Sequence, residues 1–198
     1  MKNEHTNHRR MAVLTGFISL AVISRVAAPP LLGHPANFSP IDAIALFSGA
    51  YFSRRWFAFL VPLLSVWVSD WFINLMYTGH FALFYSGFYW QYGTYVLLVL
   101  LGSLLYNKVK TTRVATTSLS ASTLFFLISN FGVWASGYYP QSAAGLMTCY
   151  IAGIPFFGQT LISDLVYSAV LFSGFEWVKS RYPALNSAIS NEQLTMSN

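Results

Sequence analysis

Six apolar runs separated by short polar connections set the pattern of this chain: 11–28, 39–52, 56–77, 89–106, 117–136 and 160–178. A helix needs roughly 20 residues, at about 1.5 Å each, to cross about 30 Å of hydrocarbon. Most of the runs approach that length, so the pattern predicts about six transmembrane helices in one domain. The second run is short, a length that also suits a re-entrant segment. Its start is well marked: Ser39 caps, Pro40 fits the first helical position, and Asp42 completes an S-x-x-D box. A further apolar stretch, 142–154, follows Tyr138, Tyr139 and Pro140 and ends before Pro155. It is too short to span and reads as an interfacial or re-entrant helix, either a lid over one face or a packing segment. Segments 1–10 and 179–198 are polar ends.

Composition sharpens this picture. Of 198 residues, 55% are hydrophobic and only 9% charged, and the mean hydropathy is +0.51. Soluble domains carry about 25% charged residues, and a water-facing surface cannot be built from so few. The expected class is therefore all-α and polytopic in the membrane. Aromatic residues, 18% of the chain, suit the headgroup level, where Trp and Tyr anchor.

Charge then supplies an orientation. Ten of the eleven basic residues fall in alternate connections or at the two ends: Lys2, Arg9 and Arg10; Arg54 and Arg55; Lys108, Lys110 and Arg113; Lys179 and Arg181. The opposite connections, 29–38, 78–88 and 137–159, hold no Lys or Arg. The positive-inside rule predicts both termini in the cytoplasm, in a bacterial inner membrane. It also favours run 39–52 as a span, since removing it would put basic connections on both sides. The net charge of +5 is thus topology information and not a nucleic-acid stripe. A basic start, an apolar core and Ala27–Ala28 resemble a signal peptide, but Arg25 beside the cleavage position weighs against removal.

Ionisable residues inside membrane segments are costly and mark candidate sites. Four stand out: Arg25, Asp42, Asp70 and Asp164. Arg25 and Asp70 each lie about 21 Å along their helices, near the outer end. All four fall in the outer half of the membrane, with Asn74, Asn130, Trp134 and Gln159 near the same level. Inner halves are almost purely apolar, so the arrangement predicts an outward pocket and not a continuous channel.

Each residue also has a structural explanation. Asp42 serves as the acid of a capping box, and Asp164 complements the N-terminal dipole of the sixth helix. Arg25 snorkels to headgroups or pairs with Asp70 or Asp164. Asp70, in mid-segment, is the hardest to explain structurally. His34, His80 and Cys149 share the outer side, but they lack ligand spacing, and no metal or cofactor is expected. The lone cysteine excludes an intramolecular disulfide. Ala12 with Gly16, and Ala45 with Gly49, are small pairs that either pack the first two helices together or receive a partner. No Walker A, H-E-x-x-H or G-x-S-x-G motif is present, and the aspartates lack the glycine-flanked pattern of intramembrane proteases. An enzyme is not expected.

Several runs resemble a small bacterial membrane family. They are Ala36–Ile41, Ala45–Phe52, Ser69–Asp70, Asn130–Trp134 and Ile154–Phe157 with Asp164, within 11–178. That family in turn is similar to the S components of energy-coupling-factor (ECF) transporters. These six-helix proteins capture a vitamin or related nutrient at the outer face, and many then dock on a coupling subunit with two ATPases. Solitary examples that take up cobalamin occur in Gram-negative bacteria. The resemblance implies a substrate-capture protein for a small nutrient, cobalamin being one candidate. With it, His80 or Cys149 would be the natural cobalt ligands.

The expected binding residues are Arg25, Asp70, Asn130, Trp134 and Asp164, supported by Asp42, Asn74, His80, Tyr138 and Cys149. Two other functions stay open: a structural or assembly subunit, and a proton-coupled secondary transporter with Asp70 or Asp164 as carrier.

Overall fold

A helix apolar on every side either faces lipid or is buried in protein, and one helix of this chain is buried on every side. The computed structural model describes residues 2–32, 37–81, 83–106, 108–182 and 185. Among these it is all-helical, with six α-helices: α1 (Lys2–Leu32), α2 (Ile41–Tyr51), α3 (Arg55–Thr78), α4 (Phe88–Ser103), α5 (Thr111–Val133) and α6 (Ala143–Arg181). All eleven residues of α2 are buried. It forms the axis of the bundle, packed on α3, α4, α5 and α6, while α1 leans chiefly on α3.

Two glycines let α2 and α4 touch backbone to backbone. A Cβ on Gly49 would strike the Val99 carbonyl, and one on Gly102 would strike the Leu46 backbone. Gly49 therefore packs on α4. Ala12 and Gly16 stay exposed on α1, and Gly16 has open space where a Cβ would stand.

Aromatic rings lock one half of the bundle. Phe47 meets Phe172 and Phe175 edge-on at 5.5 and 5.7 Å, and Tyr51 lies 4.5 Å from Phe175, geometries that rings favour. Beyond them the elements are tied at their ends. Arg10 Nη2 donates to the Tyr51 carbonyl at 2.8 Å. The Tyr51 hydroxyl donates to Glu176 at 2.7 Å, which also pairs with Lys179 at 2.7 Å. This is the basic end of the molecule, where Arg54 and Arg55 follow α2.

Four helices contain segments long and apolar enough to cross a membrane: Arg9–Ala27, Arg55–Met76, Thr111–Tyr138 and Ala143–Arg181. This is a membrane protein. α2, with 11 residues, measures about 16 Å, and α4, with 16, about 24 Å. The two shorter helices complete the bundle.

Several expected boundaries change. α1 begins at Lys2, so residues 2–10 are continuous with the helix expected over 11–28. The S-x-x-D box at Ser39 does not form. Pro40 holds the cap position without a side-chain bond, and Ser39 Oγ is buried with no hydrogen-bond partner. Segment 142–154 is no separate interfacial helix. It is the first third of the 39-residue α6, about 58 Å long. That helix starts at Ser142, whose hydroxyl accepts from the Gly145 amide at 3.1 Å. Before it, α5 ends in a π-helical turn, Trp134–Tyr138, broken by Gly137 at φ 84°.

Candidate functional site

Away from the basic end, polar side chains gather in three groups instead of one pocket. The first is an ion pair between α1 and α3. Arg25 Nη2 lies 2.7 Å from Asp70 Oδ1, with 14% and 8% of the side chains exposed. Arg25 Nη1 also donates to Ser69 Oγ, and the Tyr92 hydroxyl donates to Asp70 Oδ2 at 3.0 Å. Asp70 is thus neutralised by a guanidinium and hydrogen-bonded by a phenol, the arrangement a buried charge requires. Of the partners open to Arg25, the structure selects Asp70. Just above, the Tyr85 hydroxyl donates to Gln91 Oε1. Burial pushes the Tyr85 phenol up from its ordinary range, and the Asp70 charge adds to this.

The second group joins α2, α5 and α6. Asp42 and Asp164 are 5% and 1% exposed, and their carboxyls lie within hydrogen-bonding reach of one another. Ser122 Oγ on α5 donates to Asp164 Oδ2 at 2.5 Å. Beside them, Ser163 Oγ donates to the Ser39 carbonyl at 2.7 Å. Asp164 therefore does not complement a helix N-terminus, since α6 begins 21 residues earlier at Ala143.

The third group is a cavity of about 290 Å³ between α4, α5 and α6, with Asn37 at its edge. Phe125, Phe126, Phe156 and Phe157 give it aromatic walls, and Gln91, Ser129, Asn130 and Thr160 give it polar points. Asn130 Nδ2 donates to the Phe126 carbonyl at 2.8 Å, which fixes the amide. The Cys149 thiol, also on the lining, donates to the Asn130 carbonyl at 3.3 Å. Gly153 leaves room for the Asn130 amide, which a Cβ there would strike. Gln91 belongs both to this lining and to the hydrogen bond with Tyr85, so it stands between the cavity and the neighbourhood of the ion pair.

Of the expected binding residues, only Asn130 and Cys149 line the cavity. Arg25 and Asp70 form their own pair, and Asp164 joins Asp42. Trp134 sits in the π turn, where its indole donates to the Pro140 carbonyl at 3.0 Å. Its neighbours Val133 and Tyr139 reach the lining instead. Asn74 is half-buried one turn beyond Asp70, while His80, Tyr138 and Gln159 are exposed. His34 lies outside the described residues. No cluster of three or more His, Cys, Asp or Glu residues that could hold a metal occurs among the described residues.

Sequence reasoning passed over Gln91, Tyr92, Ser122 and Thr160. Gln91 and Tyr92 lie near the start of an apolar run, and hydroxyl residues are common in membrane helices. Only their partners mark them out.

No curated protein matches the chain, nor does any solved structure. One family profile covers residues 5–185, spanning every helix that builds the cavity and both charged pairs. The chain belongs to DUF6580, a family of unknown function.

Proposed function

We propose that this protein captures a small nutrient from the outer face of a bacterial inner membrane and binds it in the cavity between α4, α5 and α6. The observation that carries this reading is the cavity itself. Its walls are aromatic, and its few polar groups, Gln91, Ser129, Asn130 and Thr160, converge from three helices. Binding sites for small molecules have this mixture of apolar surface and sparse polar anchors. At about 290 Å³ it stands near the lower bound of such sites, roughly 300–1,000 Å³. That volume suits a single-ring or small bicyclic vitamin and falls far short of a corrinoid.

In this reading all six helices cross or enter the bilayer, with both termini cytoplasmic and the basic end inside. The S-component resemblance supports the same orientation and a capture role without chemistry. The exposed Ala12 and Gly16 on α1 offer a close-packing surface for a coupling subunit, with its ATPases supplying energy. Native mass spectrometry of the detergent-purified protein tests the proposal. A copurified small molecule is expected, and its occupancy should fall at least tenfold in Asn130→Leu and in Gln91→Leu. An empty, well-folded protein that takes up no compound from a vitamin library would refute it.

A further inference from the structure

Two buried carboxyls in contact need something between them. Asp42 enters from the first turn of α2 and Asp164 from the middle of α6. Asp164 Oδ2 has Ser122 as a donor. Asp42 Oδ2 is buried with no hydrogen-bond partner.

The surroundings offer little compensating charge. From α1, Arg25 acts on Asp42 electrostatically, but its guanidinium is engaged by Asp70 and Ser69 of α3. From α4, the buried Tyr95 phenol feels the Asp42 charge. α5 contributes the Ser122 hydroxyl, and α6 contributes Asp164 itself. The N-terminus of α2 supplies about half a positive charge. Two adjacent carboxylates cannot both stay ionised in such a place, as paired carboxyls elsewhere show. A metal lacks a third acidic, His or Cys ligand among the described residues. A single hydrogen between the two oxygens turns repulsion into a charge-assisted bond and gives the orphaned oxygen its partner.

We propose that Asp42 and Asp164 form a binding site for one exchangeable proton, shared between the two carboxyls beneath the cavity. The step is simple in balance: two facing carboxylates take up one proton and become a carboxylic acid hydrogen-bonded to a carboxylate. Release returns the proton and the repulsion. The position gives this a consequence. Thr160 lines the cavity and lies one turn before Asp164 on the same face of α6. Ser163 ties that helix to Ser39, just before α2. Proton release therefore pushes the start of α2 away from α6 directly under the cavity, which couples proton occupancy to the shape of the site. Asp70 is paired with Arg25 and is not part of this carboxyl pair. The proton site stands whether or not the cavity holds a nutrient.

Infrared spectroscopy of the full-length protein in lipid nanodiscs tests it without any ligand. At neutral pH the spectrum should contain the carbonyl stretch of one protonated carboxyl, shifted in D2O and lost on titration to alkaline pH. The band should vanish in the Asp42→Asn, Asp164→Asn double variant, whose amides can replace the acid pair by hydrogen bonding. Asp70→Asn should retain it. Absence of the band from folded wild-type protein would overturn the proposal, as would its survival in the double variant. Sodium-dependent thermal stabilisation without the band would equally overturn it, assigning the pair to a metal cation. Should the double variant fail to fold, the Asp42→Asn single variant decides, since its remaining carboxylate has an amide donor and the band must disappear.

Discussion

At the scale of single residues, the chain shows how differently two pairs of buried ionisable groups are handled. Arg25 and Asp70 neutralise each other, with Ser69 and Tyr92 filling further hydrogen-bonding positions. Removing one partner strands the other. Arg25→Ala is expected to destabilise the protein by about 3–5 kcal/mol, whereas an Arg25→Met, Asp70→Leu double variant recovers most of that loss. Unfolding in mixed micelles measures both, and equal losses in the two variants would show the pair to be more than an ion pair. Asn130 poses a finer question. Gly153 leaves its amide the space it occupies, so Gly153→Ala should displace the amide and weaken ligand binding more than stability. A binding constant and a melting curve on the same variant separate the two.

Sequence reasoning saw these residues only partly. Arg25, Asp42, Asp70 and Asp164 are conspicuous because charge is rare in apolar runs. That Arg25 pairs with Asp70 or Asp164 was legible, but the choice between them was not, since it depends on which helix faces which.

At the scale of elements, α2 and α6 depart most from what the apolar pattern predicts. α2 is wrapped on all sides, and its contact with α4 is made through glycine backbones. Gly49→Val should prevent that approach and cost at least about 1–3 kcal/mol, while Gly16→Val, in open space, should leave the fold intact. Thermal unfolding distinguishes them.

α6 swallows the stretch that reads as a separate interfacial helix. Its true start is marked by Ser142, and Ser142→Ala is expected to cost about 0.5–2 kcal/mol through loss of the cap. An unchanged melting temperature would deny the cap any role. Pro155 misleads because proline inside a helix is normally a break. Here the helix continues through it, with α5 packed alongside.

At the scale of the whole molecule, one end is basic and tied together by Arg10, Tyr51, Glu176 and Lys179, while the cavity and both acid-bearing pairs lie toward the other. In the proposed topology the basic end faces the cytoplasm. With Cys149 replaced by Ala, a cysteine at Ser86 should react with an impermeant maleimide from outside intact cells. One at Thr112 should react only after the membrane is opened. The reverse pattern would invert the topology and turn the cavity toward the cytoplasm.

The sequence by itself determined the solvent, the helical class and the segregation of basic residues. Each of these depends on composition and spacing along one dimension. It also named the intramembrane charges, because lipid makes any such charge expensive wherever its partner lies. Only the tertiary structure decided that Asp70 belongs to Arg25 and Asp164 to Asp42. It alone decided that Gly49 meets α4 and that Gln91 and Thr160 share a cavity with Asn130. Those outcomes depend on the rotation and depth of each helix against its neighbours. Apolar runs that face lipid and apolar runs that face protein look alike, so the pattern along the chain does not carry that information.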